Sequence, residues 1–496
     1  MGWMDSARSM GPPYPWSEEE VRRVGHRVVD VLARYLCELD AQPVFRPVPE
    51  GLAQHFASEP LPAEASSPDA LIDEFVKRVA PYPFGNGHPR FYGWVNSPPE
   101  IIGVFAEALA AAMNPSCAGG NHAAIHLERQ VMRWLAELVG MPAGTMGLLV
   151  SGGSMAALTA LAVARHVRSG CEVRKSGVRG ASGALRIYKT AEGHGCYQKA
   201  AELMGLGSAS LHLVETDAEL RMLPASLEEA IRQDRSKGEV PIAVVASAGT
   251  VNTGAIDPLE AIADVCERHR VWLHVDGAYG APAILTDAYR ARLKGMARAD
   301  SLAIDAHKWL YVPVECGAVL VKDGEAMRDA FSLVPPYLRT EARQGGVSAG
   351  PWLSEYGFQQ TRGFRALKLW MALKGRGSLG YRTAIERDIA LARELAHSLR
   401  SSNDFEVWTP QELSIVAFRY APAKLRHDAR AVDDLNRRVC EAIQLGGRAF
   451  LSSTTLGERF YLRACIVNPL ACSGDIEALV DEVRSSGQAL SGGTGA

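Results

Sequence analysis

The 496-residue chain has no uninterrupted apolar run of about 20 residues, so no segment reads as a helix crossing a bilayer. Its nine cysteines stand singly, odd in number and without a CxxC pair. That spacing excludes a regular disulfide framework and suits a reducing cytosol. Neither sign of charge dominates: 53 Lys and Arg stand against 56 Asp and Glu, a formal net of -3. No nucleic-acid or membrane-surface partner is therefore expected. The opening MGWMDSARSMGPPYPW lacks a basic stretch followed by an apolar one, so no secretory signal is expected either. There is no internal repeat and no GK[ST] phosphate loop. A cytoplasmic protein is the expectation, and the abundance of Ala, Arg and Gly is compositionally associated with a GC-rich bacterial genome.

The residues that are present fall into three stretches. After an SEEE start, Val21, Val24, Val28, Val31, Leu32, Tyr35 and Leu36 recur at helical spacing. Residues 41–70 are rich in Pro, Ala and Ser and read as an extended connector, followed by a second helix around 68–80. Residues 1–85 thus read as a helical arm with little core of its own, suited to dimerisation. From 86 to 380, helical stretches alternate with the apolar runs GLLVS, LRIYKT, PIAVVAS, VWLHVD, SLAID and GAVLVKD. This alternation predicts an α/β domain with a largely parallel sheet. Residues 381–496, a long helix followed by SIVAFRY and FYLRACIV, read as a smaller α+β domain.

Three motifs carry chemistry. SGGSMAALTALAVAR (151–165) joins a strand to a helix through glycines, and the amides of such a helix start can receive a phosphate. Alone it is an ordinary tight turn. VWLHVDGAYGAPA (271–283) ends an apolar strand on Asp276, where open α/β sheets place their ligands. SLAIDAHKWLYVPV (301–314) holds Lys308 in apolar company. A buried ammonium is unfavourable unless paired, neutralised or used covalently, and most lysines keep the head group wet. Together, a phosphate cradle, a strand-end carboxylate and a dry lysine are what pyridoxal 5'-phosphate requires: phosphate binding, a partner for the ring nitrogen, and an amine for the Schiff base.

With HVDGAYG followed by DAHKWL, and with HPRFYGWV, SGGSMAALTAL and LRACIVNP, nearly the whole chain resembles the group II pyridoxal-phosphate-dependent amino-acid decarboxylases, which include aromatic-amino-acid and glutamate decarboxylases. The resemblance implies the type I, aspartate-aminotransferase-like fold: a large domain with a mainly parallel seven-stranded sheet, an N-terminal helical arm and a small α+β C-terminal domain. It makes Lys308 the Schiff-base lysine, Asp276 the partner of the pyridine nitrogen and His194 the histidine stacked on the ring. Gly153, Ser154 and Met155 fall on the phosphate turn, closed by Asp305 and His307. Thr250, Asp257 and Ala278 complete the cofactor set. Arg463 matches an arginine that meets a substrate carboxylate, where a planar guanidinium suits bidentate binding. The implied reaction is decarboxylation of an L-amino acid through a quinonoid, in a homodimer with active sites at the subunit interface.

Two departures from the family pattern bear on the reaction. A mobile loop in the family supplies a tyrosine that protonates the quinonoid, but matching residues 337–368 places Leu353, or Trp352, at that position, with Tyr356 at a packing position. Relatives without the tyrosine act as aldehyde synthases, which use dioxygen and release ammonia and peroxide; that outcome stands as the alternative. A scaffold without catalysis is a remote third reading, opposed by the intact Lys308, Asp276 and His194. The second departure is AAAMNPSCAGGNHAAIHLE (110–128), which offers Asn114 and Ser116 where aromatic-substrate enzymes are apolar. With Trp94 and Ser97 as a further wall, this predicts a substrate with a polar side chain or an amino-acid conjugate.

Overall fold

The computed structural model describes residues 16–85, 87–333 and 350–492. Its chain divides into two compact units, one of Met1–Gly93, Tyr420–Leu462 and Leu470–Ala496, the other of Trp94–Arg419 and Arg463–Pro469.

The larger unit is built on the apolar runs seen in the sequence. They form β1 (Met146–Val150), β2 (Leu185–Lys189), β3 (Leu211–Leu213), β4 (Val240–Ser247), β5 (Trp272–Asp276), β6 (Ser301–Asp305) and β7 (Gly317–Val321). These make one seven-stranded sheet in the order β1-β7-β6-β5-β4-β2-β3. The strands run parallel except β7, which is antiparallel to both β1 and β6. Burial on both faces explains the continuous Val, Ile, Leu and Ala character of β4, β6 and β7. Registers Ser247↔Asp276 and Asp276↔Ala303 bring the carboxyl ends of β4, β5 and β6 side by side. That edge is where a doubly wound sheet leaves a crevice.

In the smaller unit, α1 (Glu18–Cys37) starts where Ser17 Oγ accepts the Glu20 amide at 3.2 Å, and three glutamates in its first turn complement the helix dipole. Arg23 and Arg27 of α1 pair with Asp69 of a later helix, Pro68–Glu74. No residue of α1 is buried: Val21 is 54% exposed and Val28 40%. The connector expected over 41–70 contains a further helix, α2 (Glu50–Ser58). Its EGLAQHFAS sequence is made largely of helix formers and begins just after Pro49, which reads as a terminator when only composition is weighed. A second sheet, of four strands, is ordered β10 (Ser452–Leu456), β11 (Arg459–Cys465), β9 (Ile415–Tyr420), β8 (Phe405–Val407), of which β8 and β9 up to Arg419 are counted in the larger unit. No helix among the described residues is long and apolar enough to cross a membrane.

Candidate active site

A cavity of about 430 Å³ opens beyond the carboxyl ends of β4, β5 and β6. Lys308 enters it from the turn after β6, with Nζ 2.9 Å from Asp305 Oδ2. Burial works against the Lys308 charge, but the Asp305 and Asp276 carboxylates outweigh it and hold the ammonium pKa above its ordinary value. Asp276 ends β5 and faces the same space, with Oδ1 accepting the Ala278 amide at 3.2 Å. His194 lies across from them on the turn after β2, its Nδ1 accepting the Cys196 amide at 3.2 Å. Burial lowers its pKa against the attraction of Asp276, which favours the neutral ring. The turn that carries His194 is held from behind by Lys189, a buried amine that donates to the Thr190 and Gly193 carbonyls at 2.8 and 3.0 Å.

The third wall is the start of a helix, Gly153–Arg168, that no side chain caps. Its glycines are required by close packing. A Cβ on Gly153 would stand 3.0 Å from Asp305 Oδ2, and one on Gly317 would stand 2.4 Å from the Gly152 Cα. His307 closes this side, its Nδ1 accepting the Cys316 amide at 3.2 Å, and burial pushes its pKa down.

Lys308, His194, Asp276, Gly153, Ser154, Thr250, Ala278, Asp305, His307 and Trp94 all line this one cavity. The other expected residues lie elsewhere. Asp257 is buried behind the wall, accepting the Met222 and Ser247 amides at 2.7 Å each; burial raises its pKa to about 6. Met155 turns into the core and joins the turn only through its backbone. Ser97 donates to the His307 carbonyl at 3.2 Å. Arg463 is buried and donates to the Val251 and Trp94 carbonyls at 2.7 and 2.8 Å. Asn114, in a left-handed conformation at φ 43°, ends the helix Ile101–Met113 and is exposed, as is Ser116. Leu353 is fully buried in the core.

Among the lining residues not singled out from the sequence are Asn96, Glu192, Cys196 and Tyr279. The last three share a turn or motif with His194 or Asp276, and that adjacency was the available signal. The two departures from the family pattern also meet. Gly120 donates to the Pro351 carbonyl at 3.1 Å, Ser354 to the Ala118 carbonyl at 2.8 Å, and the Trp352 ring covers Gly119 so closely that a Cβ there would lie 2.6 Å from it. The first part of the loop, 337–349, lies outside the described residues.

Residues 49–421 match the family model described as "Pyridoxal-dependent decarboxylase conserved domain". The chain belongs to that family. An aromatic-L-amino-acid decarboxylase of Bacillus atrophaeus is 34% identical over 95% of this chain and 97% of its own length. A phenylacetaldehyde synthase of Arabidopsis thaliana is 29% identical over 92% and 93%. Among solved structures, Oryza sativa TDC with PLP and tryptamine superposes with a TM-score of 0.88 at 27% identity, covering 97% of this chain and all of that one. The decarboxylase family reading, the fold class, the enzymatic character and the pyridoxal 5'-phosphate cofactor expected from the sequence are thereby borne out.

The decarboxylase cavity fits that cofactor on its own chemistry. It presents an amine, a carboxylate at a strand end, a neutral imidazole and an uncapped helix start. Asp305 Oδ1 is buried and lacks a hydrogen-bond partner among the described residues, so a polar demand remains on the side where Asp305, His307 and the glycine turn converge.

Proposed function

We propose that the enzyme decarboxylates an L-amino acid, with Lys308 as the cofactor-bearing lysine. The observation that carries this reading is the convergence of Lys308, Asp276, His194 and the Gly152–Ser154 turn on one cavity. When bound, pyridoxal phosphate supplies an aldehyde for amine capture and an electron-accepting ring. Lys308 presents the amine, and Asp305 holds Nζ in place. Asp276 presents negative charge where a ring nitrogen is to be kept protonated. His194, neutral with Nδ1 occupied by a backbone amide, carries its proton on Nε2 and can face a ring or a substrate carboxylate. Gly152–Ser154 receive the phosphate on backbone amides.

For the substrate, Trp94 gives an aromatic face, and Asn96 and Glu192 give a polar edge. We read an aromatic L-amino acid bearing a polar substituent; the name of the Bacillus relative supports the aromatic part. The polar preference first drawn from Asn114 and Ser116 rests on Asn96 and Glu192 instead, because the former pair is exposed and outside the cavity of the single chain.

Aldehyde synthesis is the second reading. It is favoured by Leu353, whose apolar side chain is buried in the core where a loop tyrosine was sought, and by the name of the Arabidopsis relative. One assay separates the two: feeding aromatic amino acids and following carbon dioxide, amine, aldehyde, ammonia and peroxide together. Amine without peroxide is expected. Aldehyde, ammonia and peroxide without amine would replace decarboxylase by synthase, and Lys308→Ala should abolish either by on the order of a thousandfold or more.

A homodimer remains our proposal, supported by the apolar stripe of α1, which holds no buried residue and leaves Val21 and Val28 exposed. A cytoplasmic, bacterial setting is likewise proposed; the nine free cysteines support a reducing compartment.

A further inference from the structure

The turn that carries Lys308 is gripped from outside the cavity by one carboxylate. Lys308 is followed by Trp309 and Tyr311, both fully buried, and Tyr311 takes the left-handed conformation at φ 53°. Trp309 Nε1 and the Tyr311 hydroxyl each donate at 2.8 Å to the same atom, Oδ2 of Asp388. Asp388 is itself fully buried and comes from the helix Ala366–Arg400, on the part that follows the break at Gly377. The Trp309 ring stacks on Tyr279 at 5.0 Å between centroids and 17° between planes. Tyr279 lines the cavity and shares its hydroxyl with Ser414 Oγ at 2.7 Å. One oxygen therefore ties the residues flanking Lys308 to an aromatic wall of the site, although it touches neither.

We propose that Asp388 is a positioning residue for Lys308, fixing through Trp309 and Tyr311 the turn from which the lysine reaches the cofactor. The proposal rests on Lys308 being the cofactor-bearing lysine. A carboxylate is suited to the task because an anionic acceptor binds two ring donors more strongly than a neutral one, and the buried surroundings leave those donors no water to turn to. The backbone explains why such a clamp is needed. The 306–316 connection is held by local bonds at 3.0–3.3 Å, such as Lys308 N to Asp305 O and Tyr311 N to Lys308 O, and Tyr311 occupies a region a tyrosine seldom enters.

Protonation of Asp388 weakens the clamp. Burial pushes its pKa up to about 7, against the pull of the Trp309 and Tyr311 donors, the Asn468 amide and the charge of Arg387. The other titratable groups nearby are Cys465, and Tyr381 and Arg376 around the Tyr311 ring. The anion prevails above about pH 7 and the neutral acid below it, so the grip is expected to loosen as pH falls through that value.

The test uses the full-length holoenzyme and the variants Asp388→Asn, Tyr311→Phe, the double variant and Lys308→Ala. The readouts are the visible band of the bound cofactor, its rate of loss on dilution, and kcat and KM from pH 6 to 9. Asp388→Asn is expected to speed cofactor loss about tenfold and to lower kcat with little change in KM. It should also remove the step in both near pH 7. Tyr311→Phe should move them the same way by less, and the double variant should match Asp388→Asn, because both act through one oxygen. Wild-type cofactor retention and pH profile in a folded Asp388→Asn would overturn the proposal. If that variant does not fold, Tyr311→Phe decides alone: an unchanged cofactor band, loss rate and pH profile reject it. A Lys308→Ala protein that keeps the lysine-linked band would instead refute the assignment of Lys308, and the proposal with it.

Discussion

At the scale of single residues, the same chemical type does different work in different places. Asp276, Asp305, Asp257 and Asp388 are all acids near the end of a strand or the back of its wall, but two line the cavity and two do not. Asp257 has a consequence for pH. Its pKa stands at about 6 in the folded chain, whereas an unfolded aspartate titrates near ~3.9. Between these values the folded state holds a proton that the unfolded state has released. The contribution to stability is thus complete below about 3.9 and lost as pH rises through about 6. Urea unfolding of Asp257→Asn beside the wild type, at pH 4.5 and 7, should show the difference moving toward the variant by about 1–3 kcal/mol. A gap that stays constant with pH would mean that Asp257 is not protonated within the fold. Sequence gives no way to see this, because an aspartate bonded by two amides behind a wall reads the same as one aimed at a ligand. Lys308 was legible for the opposite reason: few environments tolerate a lysine among so many apolar neighbours.

At the scale of elements, the strands were readable because burial on both faces demands long apolar runs, and β1, β2, β4, β5, β6 and β7 each fall on one. Direction was not. GAVLV is equally apolar read either way, so the antiparallel β7 has no local signature. Helix ends are less legible: Asn114 ends its helix in a left-handed turn and is exposed in the single chain, which a residue-by-residue match could not foresee. Asp388 in ERDIALARELA looks like one more polar position on an amphipathic helix. Its role depends on the break at Gly377 and on two rings some 80 residues earlier, at sequence separations of 79 and 77.

Another buried charge joins elements rather than marking a site. Arg362 and Glu128 form a fully buried pair, and Arg362 also donates to the Cys117 and Leu149 carbonyls at 3.0 and 2.7 Å. Glu128 in turn accepts the Leu149 amide at 3.0 Å. The pair pins the 114–122 stretch and the segment after 350 to the strand that leads into the glycine turn. Glu128→Ala would leave the guanidinium buried without its counter-ion, and a loss of about 3–5 kcal/mol in unfolding free energy is expected. Replacing both residues by apolar ones of similar size should cost less. Equal costs would show that the charges themselves do not matter here.

At the scale of the whole molecule, the large unit supplies all the lining described for the cavity, and its fold class was legible from short continuous apolar runs alternating with helical stretches. The N-terminal region was read as helical with little core of its own, and neither α1 nor α2 has a buried residue. That region has a consequence of another kind. A helix of 20 residues with no buried side chain gains little from packing within its own chain, and in proteins most helical stability comes from packing of an amphipathic face rather than from propensity. If a second copy covers the stripe, folding obeys mass action, and stability becomes a function of how much protein is in the tube. The midpoint of thermal unfolding should then rise with each tenfold increase in concentration, and Val28→Asp, which leaves the cavity untouched, should flatten that rise. The enzyme would be at its weakest when most dilute, and a loss of activity on dilution would report the parting of two chains rather than damage to the chemistry in either.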